Sequence, residues 1–347
     1  MAKAARTWPT LDLPLTPPFP VMEAKSQPAL PSGDRWIFEP KWDGFRCVAF
    51  RSGSEVALQS KAGQPLGRYF PDVVAMLGAL KAPSFVLDGE LVIPAGDAFS
   101  FDALLQRMHP AESRVKLLAA QSPCTYLTFD LLVDAKGSRI AELPLHERRV
   151  ALESFAKKYF EKNEQLRLSP ATTDRAVVTA WQEQLHGHGI DGIMAKLADA
   201  PYATGDRTGM QKIKWLRAVE CVVGGFRYAQ GKKEFGSLLL GLYDASGLLN
   251  HVGFCSALAD HARPALLAKL ESLAKTKSKE LGFSGSAPGG SSRWSAGRST
   301  EWEPLPPKLV VEVKYDHFSE GRFRHGTTFL RWRPEKDPKS CTTEQLR

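Results

Sequence analysis

The texture of the chain changes at Trp215, and no other feature constrains the fold as strongly. Before that point, segments of strand character take turns with segments of helical period. "RWIFEP", "FRCVAF" and "SEVALQS" read as strands and "YFPDVVAMLGAL" as a helix. "SFVLDGELVI" reads as a strand, "SFDALLQRMH" as a helix and "CTYLTFDLLVD" as a strand. "PLHERRVALESFAKK" and "DRAVVTAWQEQLHGHG" are again helical in period, and "IDGIMAKL" returns to a strand.

Beyond Trp215, "VECVVGGFRYA", "FGSLLLGLYD" and "LLNHVGFCS" are short strands joined by glycine-containing turns. One helix follows in "DHARPALLAKLESLAKTKS", then the Gly/Ser-rich "SGSAPGGSSRWSAGRS", and finally the strands "LVVEVKYDHF" and "FLRWRP". Short strands with a single helix among them suit a small barrel of the OB type. The 347 residues also exceed what one core usually sustains. The expected organisation is a proline-rich arm over 1–34, packed in extended form on the first domain. A mixed α+β domain over 35–216 and a barrel domain over 217–347 follow.

Lys plus Arg number 46 against 38 for Asp plus Glu, a net charge of +8 that suits a polyanionic partner. The excess is local. From Arg207 to Lys233 there are seven basic residues (Arg207, Lys212, Lys214, Arg217, Arg227, Lys232 and Lys233) and a single acid, Glu220. That stretch reads as a phosphate-binding stripe. The five cysteines are scattered without a CxxC pair, which predicts reduced thiols and neither a disulfide framework nor a zinc site. No apolar run approaches a membrane span, and the N-terminus carries no secretory pattern.

In "FEPKWDGFR", Glu39, Lys41 and Asp43 recur at every second residue, so an extended backbone places them on one face. Such a face is either a solvated edge with a turn at Asp43-Gly44 or a site. A lysine ammonium, with a reference pKa of about 10.4, is a poor nucleophile unless its surroundings favour the neutral form. In "LDGEL", Asp88 and Glu90 put two carboxylates on one face of an apolar strand, where they repel unless a cation or donor lies between. Mg²⁺ prefers such oxygen ligands together with substrate phosphates. Phe129 and Asp130 end one half of "CTYLTFDLL", Asp191 and Lys196 flank "DGIMAK", and Lys212 and Lys214 share a strand face.

Taken in order, these motifs resemble those of the ATP-dependent DNA ligases. Lys41-x-Asp43-Gly44-x-Arg46 matches the family's first motif in full. Ser60-Lys61 before "YFPD" is similar to the next, with Lys61 where arginine is usual. Asp88-Gly89-Glu90, Phe129-Asp130, Asp191-Gly192 with Lys196, and Lys212-x-Lys214 follow, with Asp191 in place of glutamate and Met210 in place of a tryptophan. Arg333-x-Glu335-Lys336 resembles the final motif, with Glu335 in place of aspartate. The resemblance runs from Glu39 to Lys336 and is greatest to the small two-domain bacterial C-type ligases linked to repair.

The resemblance implies a nucleotidyltransferase (adenylation) domain followed by an OB-fold domain, and the sealing of nicked duplex DNA. It implies that Lys41 takes AMP from ATP, with Lys212 and Lys214 on the α-phosphate. Glu39 and Arg46 would position adenine and ribose, Phe129 would stack on the base, and Lys196 would bind the nucleotide. Glu90 and Asp191 would hold Mg²⁺ or Mn²⁺, the shorter Asp191 reaching it through water. Arg333 and Lys336, on a mobile barrel, would orient pyrophosphate. DNA contacts are expected from Lys61, Arg68, Arg227, Lys232 and Lys233. A monomer in the bacterial cytosol, near the nucleoid, is expected, with a repair polymerase or end-binding protein as partner. RNA ligases and capping guanylyltransferases use similar motifs, and a non-catalytic nucleic-acid clamp is the alternative of another class.

Overall fold

The computed structural model describes residues 8–160, 163–185, 189–257, 259–276, 278, 280–289 and 301–346. The chain divides into two compact units, one ending at Trp215 and the other beginning at Leu216. The first unit opens with strands β1 (Lys25–Gln27), β2 (Trp36–Trp42), β3 (Phe45–Ser52) and β4 (Glu55–Ser60). Helix α1 (Pro71–Gly78) starts where Pro71 can occupy the first turn without losing a hydrogen bond, and β5 (Ser84–Val92) follows. A small hairpin, β6 (Pro94–Ala95) and β7 (Ala98–Phe99), leads to α2 (Phe101–Arg107) and α3 (Glu112–Gln121). Then come β8 (Thr125–Val133), α4 (Leu145–Tyr159), β9 (Leu166–Leu168), α5 (Arg175–Leu185), β10 (Ile190–Leu197) and β11 (Met210–Lys214).

These strands form two sheets, β4-β3-β5-β8-β9 and β1-β11-β10-β2. The five-stranded sheet is covered on both faces, which is why β5 and β8 are buried along almost their whole length with no in–out alternation, polar residues such as Asp88 and Asp130 included. One face carries Phe85, Leu87, Leu91 and Tyr126 against Val73 and Leu77 of α1 and Leu152 and Phe155 of α4. The other face, with Val48, Phe50, Val86 and Leu132, is covered by Leu11, Leu15, Phe19, Val21 and Met22. The proline-rich arm is therefore a layer of the core rather than a strap over a finished surface. Fully burying such side chains is worth about 1.5–3 kcal/mol each. Gln59 fixes the arm in place, accepting from Phe19 N at 2.7 Å and donating to Phe19 O at 2.7 Å.

The second unit contains β12 (Arg217–Tyr228), β13 (Phe235–Tyr243), β14 (Leu249–Ala257), helix α6 (Arg263–Ala274) and β15 (Glu303–Pro304). It ends with β16 (Val310–Tyr315), a hairpin of β17 (Phe318–Ser319) and β18 (Arg322–Phe323), and β19 (Thr327–Trp332). The order β13-β14-β19-β16-β12 closes on itself through β12–β13, and β14 and β19 run parallel. A closed five-stranded barrel with its helix between the third and fourth strands is an OB-fold. Val219, Cys221, Leu238, Leu240, Val311 and Val313 fill it, with Leu270 of α6. The helix stops at Ala274, short of the expected Ser278, because no apolar side chain follows to be buried. The Gly/Ser-rich stretch from Gly290 to Ser299 lies outside the described residues, as do residues 1–7 of the arm. All five cysteines are buried and form no disulfide, and among the described residues no helix is long and apolar enough to cross a membrane.

Candidate active site

Lys41 lies on β2 opposite Gly192 of β10, and Gly192 in turn faces Lys214 of β11. Gly192 is required by closeness: a Cβ there would stand 2.0 Å from the Ile213 carbonyl oxygen. The four-stranded sheet thus brings Lys41, Asp191, Lys196, Lys212 and Lys214 together. The five-stranded sheet supplies Arg46 on β3, paired in register with Glu90 on β5, and Phe129 on β8. A pocket of about 170 Å³ has Glu39, Lys41, Arg46, Glu90, Phe129 and Lys212 in its wall. Lys196, Met194, Met210 and Lys61 also line it. Asp43 does not, since β2 ends at Trp42 and the Asp43 amide donates to Gly189 O at 3.0 Å. The charged face of β2 is therefore Glu39 and Lys41 alone.

The electrostatics of the pocket are unbalanced toward positive charge. Lys41 Nζ is 2.9 Å from Asp191 Oδ2, and Lys196 Nζ is 2.7 Å from Glu39 Oε2. Glu39 is 2% exposed, and its Oε1 has no hydrogen-bond partner among the described residues. Burial holds the Lys212 ammonium below the usual lysine range, and Lys214, Lys41, Lys61 and Arg207 push it further down. A polyphosphate would relieve that repulsion. Glu90 is pushed up to about 8, chiefly by burial, against the pull of Arg46 and Lys41. Glu90 in the pocket wall and Asp191 beside Lys41 are carboxylates of the kind that Mg²⁺ or Mn²⁺ takes as oxygen ligands.

Behind the pocket lies a buried network that sequence reasoning did not find. Arg46 donates to Asp88 through Nε at 2.8 Å and Nη2 at 2.6 Å, and the Tyr202 hydroxyl donates to the same carboxylate at 2.6 Å. Asp88 is therefore an orienter of Arg46 and not a metal ligand, leaving Nη1 as the Arg46 nitrogen not engaged with it. Arg148 grips Asp130 with two bonds of 2.8 and 2.9 Å. The Phe129 ring carries Lys196 Nζ at 4.4 Å and the Arg46 guanidinium at 5.1 Å from its centroid. Glu23 was also missed. It lines the pocket and pairs with both Lys61 (3.3 Å) and Arg207 (2.9 Å), which hold its carboxyl below the usual range. Its only sequence signal was its position after the arm's apolar run.

Among the residues expected to meet DNA, Lys61 belongs to the pocket wall. Arg68 is engaged locally, donating to Pro110 O at 2.8 Å and packing on the Tyr69 ring. Arg227, Lys232 and Lys233 line a separate groove of about 660 Å³ on the barrel, beside Phe254 and Trp302. Arg333 and Lys336 are also on the barrel. Arg333 pairs with Glu220, Glu312 and Glu335, and Lys336 Nζ is 2.7 Å from Glu220 Oε2.

Comparison with known proteins gives the family. The ATP dependent DNA ligase domain family matches residues 22–214, and the ATP dependent DNA ligase C terminal region matches residues 231–336. The chain belongs to the ATP-dependent DNA ligases, with a nucleotidyltransferase domain followed by an OB-fold domain. Within that family it is similar to DNA ligase C2 of Mycolicibacterium smegmatis, 41% identical over 97% of this chain and 96% of the relative. DNA ligase C of Mycobacterium tuberculosis is 39% identical with the same coverage. A solved Lig E DNA ligase covers 90% of this chain and 99% of its own at 17% identity, with a TM-score of 0.56, a likeness of fold.

Proposed function

We propose that the pocket charges Lys41 with AMP and that the enzyme uses it to seal nicks in duplex DNA. The observation that carries this reading is Lys41 Nζ held at the wall of a cation-rich pocket, 2.9 Å from Asp191. Lys41 releases its proton to solvent, and its nitrogen attacks the α-phosphorus of ATP. The N–P bond forms as the bond to the bridging oxygen breaks, and pyrophosphate departs with the electron pair. Lys212 and Lys214 stabilise the charge that develops on the α-phosphate. Glu39 Oε1 accepts from the adenine amino group, Phe129 stacks on the base, Lys196 holds Glu39 in place, and Arg46 turns to the ribose. Glu90 and Asp191 would hold Mg²⁺ or Mn²⁺, which when bound neutralises phosphoryl oxygens. Arg333 and Lys336 act on the pyrophosphate.

A 5′-phosphate oxygen then displaces Lys41 from the AMP, and the lysine recovers its proton. The 3′-hydroxyl next attacks the activated 5′-phosphate and expels AMP. Lys61, Arg68, Arg227, Lys232 and Lys233 contribute positive charge along the DNA. In this reading the protein is a monomeric repair enzyme of the bacterial cytosol, working beside a repair polymerase or end-binding protein. Incubation with ATP or GTP plus Mg²⁺, followed by intact mass measurement, tests the reading. We expect an AMP adduct from ATP alone, absent in Lys41→Ala. A GMP adduct would indicate a capping-type enzyme, and no adduct a clamp. Preference for nicked RNA over nicked DNA would indicate an RNA ligase.

A further inference from the structure

Glu220 is the lone acid in the basic stretch between Arg207 and Lys233, and the barrel gives it a specific task. It lies on β12, with its backbone tied to the Gln345 side chain: its amide donates to Oε1 at 3.3 Å and its carbonyl accepts from Nε2 at 3.2 Å. From that fixed base its two carboxylate oxygens diverge. Oε1 meets Arg333 Nη1, and Oε2 meets Lys336 Nζ at 2.7 Å. One anionic group whose two oxygens each engage a different cation is the arrangement a phosphoryl group would adopt between the same two side chains. We propose that the Glu220 carboxylate occupies the phosphate-binding site formed by Arg333 and Lys336 and competes for it with the pyrophosphate moiety of ATP.

Barrel stability does not require a charge at this position. In the β12–β16 register Glu220 stands directly opposite Glu312, a like-charge pair that is tolerated because Arg333 Nη1 contacts both carboxylates. Arg333 already has Glu312 at 3.1 Å and Glu335 as partners. A neutral glutamine at 220 would keep the side-chain shape, remove the repulsion and leave Arg333 paired. What the charge adds is a hold on Lys336, for which Glu220 is the partner. The competition rests on the reading that Arg333 and Lys336 act on pyrophosphate, and it has a consequence in both directions. The carboxylate must yield before ATP is gripped, and it returns once pyrophosphate leaves, so it slows recapture of pyrophosphate by the charged enzyme.

The test uses full-length Glu220→Gln. Because free and AMP-charged enzyme both carry the Glu220 contact, the substitution cannot change the equilibrium of charging. It must therefore raise kcat/KM for ATP in lysyl-AMP formation and kcat/KM for pyrophosphate in the reverse reaction by the same factor. Two weak, partly exposed ion pairs suggest about three- to tenfold. Sealing of a nick already carrying AMP should not change. Should Glu220→Gln melt early, Glu220→Asp replaces it: a side chain one methylene shorter cannot span both cations and should give the same gain. In a folded variant, unchanged or lower values in both directions overturn the competition. Lys336→Ala separates this from the underlying reading: if it does not slow lysyl-AMP formation, the pyrophosphate role itself is wrong, whatever Glu220→Gln does.

Discussion

Replacing Lys41 with alanine removes the nitrogen that would carry AMP, the one held 2.9 Å from Asp191 Oδ2. Lys41→Ala should retain no labelled AMP after denaturation, and retention of wild-type label would assign the covalent role elsewhere. Asp191→Ala deletes a charge-assisted contact to that nitrogen, worth roughly 1.5–3 kcal/mol. Lysyl-AMP formation should slow about ten- to a hundredfold, while Asp191→Glu should be tolerated. A rate equal to wild type for Asp191→Ala at every Mg²⁺ and Mn²⁺ concentration would remove Asp191 from the chemistry. At this scale the sequence was readable where chemistry repeats in short motifs, as at Lys41, Glu90 and Lys212. It was silent where contacts join distant residues. Tyr202 meets Asp88 across 114 positions, and Glu23 meets Arg207 across 184.

Among the elements, β10 coincides residue for residue with the run "IDGIMAKL", because its flanking turns and apolar pattern leave no other register. Helix α3 was not anticipated, since only Val115 and Ala119 of it are buried and its period is weak. The three-residue β9 is too short to show a pattern. How deeply the arm is buried left no pattern to read, because proline forbids helix but does not prevent an extended segment from burying its side chains. The closeness of Gly192 to β11 gives a direct prediction. In Gly192→Ala the new methyl would displace the strand that carries Lys212 and Lys214, at a cost of about 1–3 kcal/mol. Thermal unfolding should fall and lysyl-AMP formation slow together; a normal melting temperature with normal charging would contradict the packing. In β14, burial and the nearby Arg322 and Arg227 lower the pKa of His251 to about 4. The folded pKa lies below the unfolded one, so the folded state binds fewer protons and stability is lost as pH falls from 6.5 toward 4. The loss should reach about 3 kcal/mol at pH 4. His251→Leu should flatten that part of the stability profile measured by urea unfolding, and an unchanged slope would place the titration elsewhere.

For the whole molecule, the net charge of +8 matters through where it is displayed. The side chains of Lys232 and Lys233 are 67% and 81% exposed, and their nearest acidic partners stand 4.0 and 3.8 Å away, too loosely to neutralise them. Removing both should weaken binding to nicked DNA and flatten its dependence on salt by up to about two units of slope. An unchanged slope would move the DNA path off the barrel groove. The four-stranded sheet bears on how the protein is made. β1 and β2, near the start of the chain, pair with β11 and β10, more than a hundred residues later. A ribosome therefore delivers Lys41 long before it delivers the strands that surround it. The five-stranded sheet can assemble while synthesis continues, but its neighbour waits for Lys214 to emerge. A nascent chain arrested before Met210 therefore carries Lys41 without the strand that bears Lys212 and Lys214.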